Sequence, residues 1–364
     1  MIVREVTDIL EELAPLPYAE DFDNVGLLLG EPTTEITGIL VTLDVLEAVV
    51  DEAIAKNCNL IVTFHPIIFK GLTKITGANY VERVVLKAIK NGICIYSMHT
   101  ALDNVYQGVN GKICEVLGIL KPKILIPQRG GIKKLITYVP TEEAEKLKEA
   151  LFEAGGGTIG NYSHCSFVLE GTGSFRPGEN AKPVMGEKGE THFERESQIH
   201  ITFPALAQKK ILKALFEHHP YEEVAYEVYT LDNANQLIGM GMIGELKEPM
   251  EEHKFLDRIK DRMHVSCLRH TALRGKMIQK IAVLGGSGAF AIGAAKAQGA
   301  DLFLTSDIKY HQFFEAENAM VIADIGHYES EQYTKNLLVD YLTKKIPNFA
   351  IALSESITNP IKYY

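Results

Sequence analysis

Four short apolar runs in this chain each end in side chains that ligate metals. Leu60-Ile61-Val62 leads into Thr63-Phe64-His65-Pro66, and Ile93-Cys94-Ile95-Tyr96 leads into His99 and Asp103. Leu302-Phe303-Leu304 leads into Thr305-Ser306-Asp307, and Met320-Val321-Ile322-Ala323 leads into Asp324, His327 and Glu331. Short apolar runs of this kind read as buried strands of a parallel sheet. Ligands of open α/β sheets collect beyond the carboxyl ends of the strands. Imidazoles and carboxylates converging there suit a borderline divalent cation such as zinc, iron or manganese.

Each signal alone has a plainer explanation. A histidine before Pro66 at a strand end is more often a hydrogen-bonded structural residue, since proline stops strand pairing and turns the chain. His99 and Asp103 are four apart and share a face only if that segment turns helically. His327 and Glu331 have the same spacing after Gly326, a common grip on a metal. A carboxylate favouring the helix macrodipole, beside a surface histidine, would look alike. The case rests on several pairs at equivalent sheet edges. Gly286, Gly288 and Ala291 offer a G-x-G-x-x-A turn, with Asp307 about where a ribose-binding acid would stand, but a tight βα turn explains them equally well. His218-His219-Pro220-Tyr221-Glu222-Glu223 is best explained as a polar helix end before a proline. Neither a G-x-S-x-G elbow nor a P-loop lysine motif occurs.

The elements that must position these residues alternate in the first third. The spacing predicts helices over Val6 to Leu13, Leu46 to Lys56 and Tyr80 to Lys90, with strands from Ile39 to Leu43, from Leu60 to Thr63 and at Ile93. This βαβ rhythm implies a parallel sheet with right-handed crossovers. It breaks near residue 130. From Gly131 to about Leu231 the order becomes β-α-β-β-α-β, a ferredoxin-like module. The α/β rhythm resumes at Ile281, with strands at Leu302 and Met320 and a closing helix after Gly326. The expected fold is therefore α/β, a main domain of two halves (1–130 and 232–364) interrupted by an α+β insert (131–231).

Bulk properties agree with two or three domains in 364 residues. The formal net charge of -10 disfavours a general affinity for nucleic acid or anionic membrane. No stretch is apolar enough to span a bilayer and no signal-peptide pattern opens the chain, so the cytoplasm is the expected compartment. The five cysteines are scattered without a CxxC pair, which points away from a disulfide framework or a thiolate zinc knuckle.

At these residues the chain resembles the GTP cyclohydrolase I type 2 homologues, also called dinuclear-metal-centre hexamer proteins. The matching segments are Asp23-Asn24-Val25-Gly26-Leu27, Thr63 to Gly71, His99 to Asn104, Gly286-Ser287-Gly288, Thr305 to His311 and Asp324 to Glu331. The insert is similar to the PII-like or CutA-like module of longer members, through Gly160-Asn161-Tyr162, Cys165-Ser166-Phe167, Gly173 to Pro177 and His219 to Glu223. The resemblance implies a two-metal cluster, in which His65, Asp103 and Glu331 hold one ion, and His327 and Glu331 help hold the other. It also implies a hydrolase acting on a nucleotide or another small molecule, with His99, Asp307 and His311 as candidates for proton transfer or support. A toroidal homohexamer, its openings capped by the inserts, belongs to the same expectation. So does the alternative of a non-catalytic regulatory assembly that senses a small ligand or a protein partner. One departure stands out: Phe64 replaces the first of two adjacent histidines usual in the family. The second ion then binds weakly, takes His99 or water instead, or is missing.

Overall fold

The strands Ile39–Thr42, Leu60–Thr63 and Cys94–Ser97 are buried at every position. They pair in parallel with one another. Alternate residues feed two different cores, which is why the runs are apolar without a break. Val41, Val62 and Tyr96 enter one core, whereas Leu40, Ile61 and Ile95 enter another beneath the helices Glu47–Ala55 and Tyr80–Lys90. The second of these helices starts as its sequence suggests: Asn79 accepts a hydrogen bond from the Glu82 amide, and Lys87 and Lys90 lie in the last turn.

The computed structural model describes residues 1–364. They form two units, one of Met1–Pro127 with Gln236–Tyr364 and the other of Gln128–Asn235. The first unit holds two sheets. One has the strand order Gly26–Leu29, Cys94–Ser97, Leu60–Thr63, Ile39–Thr42, Ile351–Leu353. Gly26–Leu29 is antiparallel to its neighbour, and the C-terminal strand Ile351–Leu353 is parallel to Ile39–Thr42. The two halves expected from the sequence are thus interwoven, because a strand from the second completes the sheet of the first. The other sheet runs Arg269–His270, Val321–Asp324, Leu302–Ser306, Met277–Ser287, Asn235–Glu251, Leu120–Gln128. Its three middle strands, Val321–Asp324, Leu302–Ser306 and Met277–Ser287, are parallel, and Asn235–Glu251 and Arg269–His270 pair antiparallel at their flanks. A single core joins inner residues of both sheets, including Val62, Tyr96, Val283 and Leu304, with the helices Val3–Leu13, Val109–Leu117 and Thr334–Lys345.

The second unit has the order β-α-β-β-α-β: Ile132–Pro140, Ala144–Glu153, Phe167–Phe175, His192–Pro204, Gln208–His218, Tyr226–Leu231. Its sheet is antiparallel throughout, with His192–Pro204 and Ile132–Pro140 in the middle and Phe167–Phe175 and Tyr226–Leu231 at the edges. Leu135, Val139, Ile199, Ile201 and Phe203 on one face pack against Leu147, Leu151, Ile211 and Leu215 of the two helices. No helix anywhere in the chain is long and apolar enough to cross a membrane.

Candidate metal centre

Sheet register creates the centre. Thr42, Thr63 and Ser97 are aligned partners on three neighbouring parallel strands. Two residues beyond each lie Asp44, His65 and His99. His65 Nδ1 donates to Asp44 Oδ1 at 2.8 Å, and His99 Nδ1 donates to Asp23 Oδ1 at 2.7 Å. An ionised carboxylate only accepts, so in the neutral ring each of these bonds places the single proton on Nδ1 and leaves Nε2 as the lone-pair donor. Asp23 is itself held by the Thr100 amide and hydroxyl. His99 starts a short helix, His99–Asp103, with φ of +23°, a conformation that costs a non-glycine residue about 1–3 kcal/mol and persists where the surroundings demand it.

The other sheet supplies the facing residues. After Val321–Asp324 the chain turns at Gly326 into the helix His327–Glu331, which sets His327 and Glu331 one turn apart. His327 Nδ1 donates to Asp307 Oδ2 at 2.6 Å, and Asp307 also accepts from Ser287 Oγ. Gly286 has φ of +69°, and a Cβ there would fall 2.4 Å from Glu331 Oε1, so glycine is what lets the carboxylate lie against the strand end.

The two sets converge on one oxygen. His65 Nε2 lies 3.1 Å and His327 Nε2 lies 3.3 Å from Glu331 Oε2. Neither contact is aligned as a hydrogen bond, and this buried oxygen has no other partner. One ligand atom from each of His65, His327 and Glu331 lies within 4.8 Å of the others. Two imidazole nitrogens and a carboxylate oxygen with no aligned bond between them are what a cation site offers: three lone-pair donors around one point.

Charge balance argues the same way. Asp23, Asp44, Asp103, Asp307 and Glu331 surround three imidazoles. Burial works against the His65 cation, yet the bond to Asp44 and the close Glu331 carboxylate outweigh it and hold its pKa up at about 10. For His327 burial is again outweighed, by Glu331 and then Asp307, and the value is about 9. Burial would raise Glu331, but the two histidines bring it down to about 2. Asp103 is raised well above the carboxylate range, by burial first and by Glu331 second, and its Oδ1 is buried without a hydrogen bond. The cluster demands positive charge, which protons or a cation can supply.

His65, His327 and Glu331 are therefore brought together, with Asp103 beside the group. The His99 ring centroid is 5.3 Å from that of His65. Asp307 is the carboxylate that orients His327. His311 does not join them: it is exposed, with its ring against Tyr310 and Phe314. Asp324, at the end of the fourth run, is engaged by Arg269 and by the Ile308 and Gly326 amides. Phe64 is fully buried, with its ring 4.9 Å from that of His65 and 5.4 Å from that of His99. Two orienting acids were not among the residues singled out from the sequence as site candidates. Asp44 follows a strand end as His65 does, and that equivalence was the available signal. Asp23 lies in a loop and carried none beyond the family match.

The chain from Ser354 onward supports the centre from outside. Thr358 Oγ1 donates to Asp44 Oδ2 at 2.6 Å, on the carboxylate that orients His65. Asn359 Nδ2 donates to Glu329 Oε1, and Glu52 accepts from the Ser354 and Ser356 hydroxyls and from backbone amides. A cleft of about 270 Å³ opens beside the cluster, lined by His99, Asp103, His327 and Glu331 and flanked by Phe22 and Phe290.

The glycine turn does not behave as a dinucleotide site. The Gly285 amide donates to Asn110 Oδ1 and the Gly286 amide to Ser330 Oγ, so both amides are already engaged by the protein. His219 is structural: its Nε2 donates to the Tyr138 carbonyl and its Nδ1 accepts from the Tyr221 amide.

Fold and centre together define an α/β protein with a histidine–carboxylate cluster, able to take a cation, at the strand ends of two sheets. The chain belongs to the Duf34/NIF3 (NGG1p interacting factor 3) family, whose profile matches residues 1–360. It is 36% identical over 373 residues to the GTP cyclohydrolase 1 type 2 homolog of Bacillus subtilis, covering 99% of this chain and 98% of that protein. It is 33% identical over 367 residues to the protein of the same name from Staphylococcus epidermidis, with both chains fully covered. Among solved structures, a Bacillus cereus protein related to NIF3 superposes with a TM-score of 0.87 at 36% identity, over 100% of this chain and 99% of that one.

Proposed function

We infer that the chain binds a divalent cation through His65, His327 and Glu331 and hydrolyses a small molecule in the adjoining cleft. The observation that carries this reading is the buried Glu331 Oε2, approached by two imidazole nitrogens without an aligned hydrogen bond to either. When bound, such a cation polarises a substrate oxygen and brings the pKa of a water towards neutrality. His99 lies in the cleft wall, where it would accept a proton from the attacking water, and Asp23 on its Nδ1 would stabilise the resulting imidazolium. Asp44 and Asp307 fix the tautomers of His65 and His327. The exposed rings of Phe22 and Phe290 suit a flat substrate.

The relatives' names bring cyclohydrolysis into the proposal, with water added at a purine ring carbon and the ring opened. None of the residues lining the cleft is Lys or Arg, which favours a grip on a ring rather than on a triphosphate. Phe64 occupies the place where the resemblance implies a further imidazole, which favours one ion per chain and lends weight to a second reading. There the chain is a non-catalytic homohexamer whose ion serves binding or assembly.

Metal analysis of protein purified without chelator, together with a GTP turnover assay and native mass measurement, decides between them. Metal-dependent turnover that is lost in Glu331→Ala, with the fold intact, supports the hydrolase. Near one ion per chain, a hexameric mass and no turnover supports the second reading. Protein without metal, and without affinity for added Zn²⁺ or Mn²⁺, sinks both.

A further inference from the structure

The unit Gln128–Asn235 contains a cavity of about 430 Å³, larger than the cleft at the histidine cluster. Its volume suits a small molecule. Two aromatic rings of its wall, Phe175 and Tyr221, stand 5.9 Å apart and are tilted by 60°. Tyr221 Oη donates to Glu196 Oε1 at 2.8 Å. Burial and the Glu196 charge hold the Tyr221 hydroxyl above its ordinary pKa, so it remains a donor. Gly173 makes room for that acid: a Cβ there would fall 2.1 Å from Glu196 Oε2. A loop carrying Pro177, Val184 and Met185 also lines the cavity and is tethered where the Lys182 amide donates to Glu222 Oε2.

The charges around the cavity are unbalanced. Glu196, Glu222 and Glu223 line it, and Arg176 is the one basic residue that does. The Arg176 guanidinium is held by Thr191 Oγ1 through two bonds of 3.1 and 2.8 Å. Aromatic rings beside a carboxylate attract a cation, and the aliphatic residues of the loop offer a surface for an apolar body. We propose that this cavity binds an organic cation, an ammonium group carried on a flat apolar body.

Calorimetric titration of the full chain with tryptamine, tryptophol and indole-3-acetate tests this, because the three share a ring and differ in charge. The expected result is saturable binding of tryptamine at one site, about tenfold or more tighter than tryptophol, with indole-3-acetate weakest. Glu196→Gln should erase the preference for tryptamine, with the circular dichroism unchanged. Gly173→Ala, which pushes the carboxylate aside, should weaken tryptamine binding and serves as the test if Glu196→Gln misfolds. Stripping metal with chelator should leave tryptamine binding unchanged. Equal binding of tryptamine and tryptophol, no tryptamine binding at millimolar concentration, or loss of binding on metal removal would each overturn the proposal.

Discussion

His65 and His219 are both partly or wholly buried, both near acids and both followed by proline, yet they do different work. His219 uses both ring nitrogens on the backbone, Nε2 towards the Tyr138 carbonyl and Nδ1 towards the Tyr221 amide. Burial lowers its pKa, as expected for a ring with no carboxylate bonded to it. His65 gives one nitrogen to Asp44 and turns the other to a carboxylate oxygen that has no aligned bond. A histidine is thus recognised as a candidate ligand by what its second nitrogen is left to do. Proximity to acids in the sequence points the wrong way, since Glu217, Glu222 and Glu223 stand beside His219 and no acid stands beside His65.

The contrast can be broken most directly at the shared oxygen. Glu331→Ala should lower metal affinity more than about a hundredfold, beyond the range typical of a merely supporting residue, as read by competition with a chromogenic chelator. Acid should act similarly. With pKa values raised to about 10 and about 9, both imidazoles are protonated at pH 7 without metal, while Glu331 at about 2 stays ionised. Binding must then release protons, so affinity tightens as pH rises and weakens as it falls, by up to about a hundredfold per pH unit if two protons leave. Buffer-dependent calorimetric enthalpies count those protons, and none released would contradict the assignment.

Asp44→Asn should cost about 10–100-fold in metal affinity, since the amide can present its NH₂ to His65 Nδ1 and disturb the tautomer. Phe64→His sharpens the comparison from the other side. It should raise the number of ions bound per chain above that of the parent, and an unchanged count would show that Phe64 does not limit it. The smallest effect belongs to the other histidine. His219→Ala should leave metal content unaltered and destabilise its unit by about 1–3 kcal/mol in urea unfolding, because the buried Tyr138 carbonyl loses its donor.

Much of the centre was legible because parallel strands announce themselves. Buried on both faces, they read as unbroken apolar runs, and chemistry collects where the runs stop; His65, His99, Asp307, His327 and Glu331 were found that way. Asp44 lies under the same rule, but a single aspartate after Leu43 looks like an ordinary turn residue until register aligns it with His65. His311 failed for the opposite reason. It sits four residues past Asp307, but the intervening 3-10 segment Tyr310–Ala316 leaves it exposed beside Tyr310. The long strand Asn235–Glu251 and the returning strand Ile351–Leu353 left no clear sequence signal. The first carries many polar residues, and the second is three residues long, so its place depends on a partner more than 300 residues away.

The bond from Thr358 to Asp44 gives the centre an order of assembly in time. His65, His99, His327 and Glu331 are all synthesised before Thr358 reaches the growing chain. The parallel strand Ile351–Leu353, which leads to that segment, comes equally late. A nascent polypeptide can therefore carry every ligand while the brace on His65 is still missing. During synthesis, completion of the first sheet is therefore a late event that follows the emergence of all four side chains.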